Sequence, residues 1–170
     1  MPLVKGRYKG PLYRALNPVY ARDPLSGRGA ALYGGRFNPK GLATLYTALD
    51  PVTALREANQ VGDLQPTTLV SYRADLGPVF DTREAQALAA YDMTPEVLAD
   101  QGWRAAMLDG RKVPTQEFAR ALIKAGFAGC LVRSFAQGTG AANLNLVLWR
   151  WDSADGQLAV VDDEGRLLRT

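Results

Sequence analysis

The sequence predicts an α+β fold: one compact domain with central β-sheets and short flanking helices. Three observations point there. The chain has 170 residues, within the ~100–200 residues usual for one domain. Runs with strand-like alternation recur along it, separated by short stretches that open on helix caps. No tract rich in Gly, Ser or Pro divides it, and no internal repeat is present.

Taken in order, "GPLYRALN" reads as a short strand ending at Asn17-Pro18. The segment "YARDPLSGRGAALYGGRFNPKG" is dense in turn formers and reads as a long loop, which in a compact domain is usually functional or mobile. "ATLYTAL" alternates as a strand, with Thr44, Tyr46 and Ala48 on one face and Ala43, Leu45, Thr47 and Leu49 on the other. Asp50 then offers a helix cap and Pro51 suits the first helical position, so "VTALREANQ" carries a helix to about Gly62. "TTLVSYRADL" has the Thr, Val and Tyr content of a strand. Asp81 and Glu84 have the spacing of a capping box, and Thr94-Pro95-Glu96 is a second cap; short helices are expected near 82–90 and 95–101. "TQEFARALIKAG" sets Phe118, Leu122 and Ala125 along one helical face and stops at Gly126. "GCLVRSF" and "NLNLVLWRW" are apolar strands around the glycine-bearing turn "AQGTGAA".

Composition narrows the function classes. Hydrophobic residues make up 47% and charged residues 22%, and no apolar run nears the ~20 residues of a membrane span. The N-terminal "MPLVKGRYKGPLYR" lacks the apolar core and cleavage site of a secretory signal, so a cytoplasmic location is expected, with no membrane partner. The single cysteine, Cys130, removes an internal disulfide and any cysteine-cluster metal site, and its apolar setting reads as a buried small hydrophobe. Histidine is absent, which removes Ser-His-Asp and Cys-His catalysis and imidazole zinc sites together. No metal is expected, and chemistry falls to Arg, Tyr, Ser, Asp or Glu. Within residues 1–40, Lys5, Arg7, Lys9, Arg14, Arg22, Arg28, Arg36 and Lys40 stand against Asp23 alone, although the whole chain carries only +3. Concentrated arginine suggests an anionic partner, a phosphate-bearing small molecule or a nucleic acid backbone.

Several polar residues sit where strands and loops meet. Arg14 ends the first strand, Arg36 follows Gly34-Gly35, Tyr46 lies on the next strand, Glu57 on the helix after it, and Ser134 leaves a late strand. Gly34-Gly35 is either a tight turn or a device that lets an Arg36 oxyanion clamp approach a ligand closely. Tyr46 either packs with its hydroxyl satisfied or serves the site. Glu57, beside the apolar Ala54, Leu55 and Ala58, is either mispaired, ion-paired or functional, because burying an unpaired carboxylate is costly. Neither a P-loop nor a strand–GxGxxG–helix fingerprint is present.

The set "LYRAL", "GGRFNPKG", "LYTALDPVTALRE" and "GFAGCLVRSFAQGTGAANLNLVLW" resembles the RES-domain family, toxins of bacterial RES–Xre toxin–antitoxin systems. The likeness runs from about Leu12 to Trp149, which implies a single RES domain over 1–170 with its core at about 12–150. It implies a fold related to ADP-ribosyltransferases and an enzyme that consumes NAD as substrate. Such enzymes cleave the nicotinamide–ribose bond and pass ADP-ribose to phosphate, a protein or water. The family's namesake Arg, Glu and Ser correspond to Arg36, Glu57 and Ser134. The resemblance casts Arg36, Glu57 and Tyr46 as catalytic, and Arg14, Arg36, Tyr46 and Ser134 as NAD-binding. It implies a cognate Xre-type antitoxin as protein partner and no direct nucleic acid contact. A different class of reading is a nucleic-acid-binding module, in which Tyr8, Tyr13, Tyr20, Tyr33 and Phe37 stack on bases between the N-terminal cations. The absence of a helix-turn-helix or zinc module argues against it.

Overall fold

The computed structural model describes residues 2–168 apart from Val61 and Asp155. In chain order the elements are β1 (Leu3–Val4), β2 (Arg7–Leu16), α1 (Arg28–Tyr33), β3 (Leu45–Ala48), α2 (Pro51–Ala58), β4 (Thr68–Leu76) and β5 (Val79–Asp81). They continue with α3 (Ala85–Ala89), α4 (Pro95–Ala99), α5 (Trp103–Leu108), α6 (Pro114–Lys124), β6 (Gly129–Arg133), β7 (Leu144–Leu148), β8 (Asp152–Ser153) and β9 (Gly156–Val160). The strands form one mixed sheet, ordered β5-β6-β7-β3-β2-β4-β9-β8 with β1 beside β2. Only β5 runs parallel to its neighbour, β6, among the pairings of the described residues. This is the α+β domain with short flanking helices that the sequence predicts.

The centre of the sheet is buried on both faces, and parity divides its side chains between two cores. Leu131, Leu144, Leu146 and Leu148 join Leu12, Leu45 and Tyr72 in one. Cys130, Val132 and Val147 turn to the other, against Leu88 of α3, Leu98 of α4, and Phe118, Ala119 and Leu122 of α6. That double burial is why "GCLV" and "LVL" read as continuous apolar runs rather than alternating ones. Cys130 is fully enclosed, and burial pushes its thiol well above the usual range, so it behaves as a small core residue.

Several elements differ from the sequence reading. The segment expected to be a long loop contains α1, hidden in the sequence by Gly27, Gly29 and Gly34 around a helix with no side-chain cap. Helix α2 stops at Ala58 rather than near Gly62, because the Asn59 side-chain amide donates to the Leu55 carbonyl and closes the last turn. Asp81 caps nothing: it ends β5, opposite Leu131, and its carboxylate accepts from the Arg83 backbone and guanidinium, so α3 begins only at Ala85. In α6, Phe118 and Leu122 are buried as expected, whereas Ala125 is the exposed cap residue; Thr115 and Ala119 complete the inner face. The short β5, α5 and the β8–β9 hairpin carry no clear sequence signal. No helix among the described residues is long and apolar enough to cross a membrane.

Candidate functional site

The site lies at a fork in the sheet. Strand β2 is paired with β4 from Tyr8 to Leu16, and β3 with β7 from Leu45 to Ala48, yet β2 and β3 share one registered pair, Tyr13 opposite Ala48. Beyond that pair the two halves of the sheet part. A cavity of about 200 Å³ occupies the fork, walled by Tyr13 and Arg14 of β2, Tyr46 and Thr47 of β3, Glu57 of α2 and Asn145 of β7. A shallower groove of about 490 Å³, with Lys9 and Arg73 on its walls, adjoins at Tyr13.

Helix α2 exists where it does because Asp50 caps it, accepting from the Thr53 N–H at 2.8 Å, with Pro51 at the first position. Ala54, Glu57 and Ala58 fall on one helical face and all meet the cavity, so two small residues clear space around the carboxylate. Glu57 is held against the sheet from two strands. Its Oε1 accepts from Ser134 Oγ and from Asn145 Nδ2, each at 2.5 Å, while Oε2 accepts from Gln60 at 2.6 Å. Ser134 is itself buried, and its Oγ also accepts from the Ala136 N–H at 3.2 Å, which fixes the hydroxyl toward the carboxylate.

The stretch "GGRFNPKG" builds the wall behind Tyr46. Gly35 and Asn38 close a tight bridge, and the fully buried Asn38 donates its amide to the Ala30 carbonyl at 2.8 Å and to Leu42 at 3.2 Å. Tyr46 donates its hydroxyl to Asn38 Oδ1 at 2.7 Å and accepts from the Phe37 N–H at 3.0 Å. Burial pushes the phenol pKa well up, a rise that the Phe37 bond only partly opposes. The residue as a whole is 37% exposed; the oxygen is sealed in the wall while part of the ring faces the cavity. A Cβ on Gly35 would lie 2.5 Å from the Tyr46 oxygen and 2.6 Å from Asn38 Oδ1. The close approach that Gly35 permits is therefore to the protein's own tyrosine, and the one that Gly34 permits is to Met107. Gly34, at φ +74°, ends α1 in a conformation that glycine accepts readily.

Arg36 is not among the residues that line the cavity, although its charge acts on Glu57 and Tyr46 there. Its Nη1 donates to the carbonyls of Leu98 at 2.9 Å and Asp100 at 2.6 Å, and its guanidinium packs over the Phe135 ring at 4.5 Å. Burial lowers its pKa, with Glu57, Asp100 and Tyr46 acting in the opposite direction. Arg14 stands in the cavity wall, with Nη1 donating to the Pro24 carbonyl at 2.9 Å. The structure thus gathers Arg14, Tyr46 and Glu57 around one cavity, sets Ser134 against Glu57, and leaves Arg36 outside the lining but within electrostatic reach of Glu57 and Tyr46. Sequence reasoning did not single out Asn145 or Gln60. The available signal for Asn145 was an amide in the middle of the apolar run "NLNLVLW". Among the described residues no group of three or more His, Cys, Asp or Glu side chains could hold a metal ion.

The RES domain family model matches residues 11–170. No curated protein sequence matches this chain. Among solved structures, it is similar to a chain in the crystal structure of the M. tuberculosis MbcT-MbcA toxin–antitoxin complex. That likeness has 24% identity and a TM-score of 0.59, over 92% of this chain and 85% of the other, and is one of fold.

Proposed function

The chain belongs to the RES-domain family, and on that premise we propose that it is a bacterial toxin that consumes NAD, cleaving the bond between nicotinamide and ribose. The observation that carries this reading is Glu57, a carboxylate held by donors from two strands beside an aromatic face in a cavity of about 200 Å³. A whole ligand commonly occupies ~300–1,000 Å³; this space suits the nicotinamide riboside end, leaving the diphosphate and adenosine to run outward. Arg14 suits that anionic half, and the adjoining groove gives it room.

The chemistry follows from the charges. The glycosidic bond breaks with its electron pair passing to the ring nitrogen of nicotinamide, which departs neutral. Positive charge develops on C1′ and the ring oxygen of the ribose, and Glu57 stabilises it. An oxygen or nitrogen of the acceptor then bonds to C1′; an acceptor that reacts through an O–H or N–H, such as water, releases that proton to solvent, whereas an anionic phosphate oxygen bonds directly. Tyr46 contributes its ring face to nicotinamide, because its hydroxyl is engaged with Phe37 and Asn38. Ser134 orients Glu57, and Arg36 holds Phe135 and the α4–α5 turn beside the end of β6. The product is an ADP-ribosyl group on phosphate, on a protein or on water, formed in the cytoplasm. A cognate antitoxin restrains the enzyme: the fold likeness to a chain solved in a toxin–antitoxin complex supports such a partner, and the family resemblance points to an Xre-type protein.

Purified protein incubated with NAD, with and without inorganic phosphate, should release nicotinamide, and the mass of the ADP-ribosyl product identifies the acceptor. Folded protein that releases none under either condition overturns the proposal. Glu57→Gln should lower kcat by about 100-fold or more while NAD affinity stays within a few-fold, since the charge it stabilises belongs to the transition state.

A further inference from the structure

Asn145 is an anomaly of its strand. It lies between Leu144 and Leu146 on β7, registered with Ala48 of β3 and Val132 of β6, and is the one polar side chain in that strand. Its amide N–H donates to Glu57 Oε1, and its own Oδ1 is buried with no donor among the described residues. Rotating the amide by half a turn would set Oδ1 against the carboxylate oxygen, so the polarity is fixed by Glu57. A buried carbonyl without a protein partner is costly, and this one belongs to a side chain that lines the cavity.

We propose that Asn145 is a positioning residue for Glu57, retained at a cost to the fold because its N–H fixes the carboxylate in the cavity. The geometry gives this content. Ser134 reaches Oε1 from the end of β6 and Asn145 reaches the same oxygen from β7, so two donors anchored at different points of the sheet converge on it. Gln60 cannot replace them: it is exposed and sits on the chain just past α2, the helix that carries Glu57, and so does not tie the carboxylate to the sheet. With Asn145 removed, Ser134 alone leaves the carboxylate free to pivot about one bond.

The inference rests on Glu57 being the group that stabilises the ribosyl cation, and the test separates the two. Asn145→Leu, which removes the donor and the orphaned carbonyl together, should melt at or above the wild-type temperature and bind NAD within about 3-fold. Its kcat should fall about 10- to 100-fold, the scale of a small misplacement of a catalytic group. Asn145→Asp keeps the shape, replaces the donor with an acceptor facing Glu57, and should lose more kcat than the leucine variant. A leucine variant with wild-type kcat overturns the assignment, as does one that melts well below wild type, because the amide then serves the fold. An aspartate variant as active as wild type overturns it independently of how the leucine variant folds. If wild-type protein itself releases no nicotinamide, the reading of Glu57 falls and takes this inference with it; release by wild type and by both variants alike removes the inference alone.

Discussion

At the scale of single residues, Tyr46 shows why an identity in the sequence and a role in the site are different facts. Its hydroxyl accepts from Phe37 and donates to Asn38, so the polar end that proton-transfer chemistry would need is spent on the wall. Tyr46→Phe should leave the Phe37 N–H and Asn38 Oδ1 short of a partner and lower stability by about 1–3 kcal/mol in urea unfolding. The ring face persists, so NAD affinity should stay within about 3-fold; a loss of affinity beyond that without a loss of stability would give the hydroxyl a direct contact with ligand. Arg36 makes the same point with a charge. Its place after two glycines suggests a clamp open to a ligand; in the structure its Nη1 donates to the Leu98 and Asp100 carbonyls and its Nη2 to Gln101. Nothing local to "GGRF" encodes those partners, because they belong to α4 and the turn after it.

At the scale of elements, the local code was most legible where a cap and a proline coincide. Asp50-Pro51 starts α2 and Thr94-Pro95 starts α4, with each side chain accepting from the N–H three residues on. Asp81 had the spacing of a capping box but no proline behind it, and pairing with Leu131 drew it into the sheet. Strand formation overrode a cap that only short-range spacing supported. The Asp50 cap has a pH signature. Burial pushes its carboxyl up, but the hydrogen bonds from the Thr53 hydroxyl and N–H outweigh that and hold it below the usual carboxylate range. A carboxylate lowered in the folded state adds stability that is fully present above its unfolded value, about pH 4, and fades as pH falls through the folded value. Asp50→Asn keeps an acceptor at the cap but does not titrate. The stability of wild type relative to this variant should therefore be constant from neutral pH to about pH 5 and decline below about pH 4. Urea midpoints across that range check it, and parallel curves for the two proteins would remove Asp50 from the acid response.

At the scale of the whole molecule, the sheet creates both the site and a vulnerability. The fork between β2 and β3 makes the cavity, and it persists because each strand is secured on its other side, β2 by β4 and β3 by β7. Strand β9 in turn covers β4, from Tyr72 opposite Val160 to Asp75 opposite Gln157, and buries Leu158 in the first core. Deleting residues 152–170 uncovers that edge and should convert a soluble species into aggregates on size-exclusion chromatography, the expected fate of a long unpaired strand. A stable, soluble truncated protein would show that β4 needs no cover. The basic N-terminal segment also changes meaning at this scale. Arg7 and Lys9 pair with Asp75 of β4, so part of the cationic surplus counted along residues 1–40 is met by a residue outside them. A nucleic acid surface gains no support from that arrangement.

The sequence by itself determined the α+β class, the strands β3, β4, β6 and β7, the capped start of α2 and the burial of Phe118 and Leu122 on α6. Those features depend on side-chain periodicity and on hydrogen bonds spanning three or four residues, which a linear reading captures. Its motifs also pointed to the RES-domain family. Tertiary structure alone decided that Glu57 meets Ser134, 77 residues away, and Asn145, 88 residues away, and that Gly35 makes room for Tyr46. It alone opened the fork that makes a cavity. The reason is physical: a carboxylate's partners and a strand's missing partner are set by how distant segments pack, and the sequence of either segment is silent about the other.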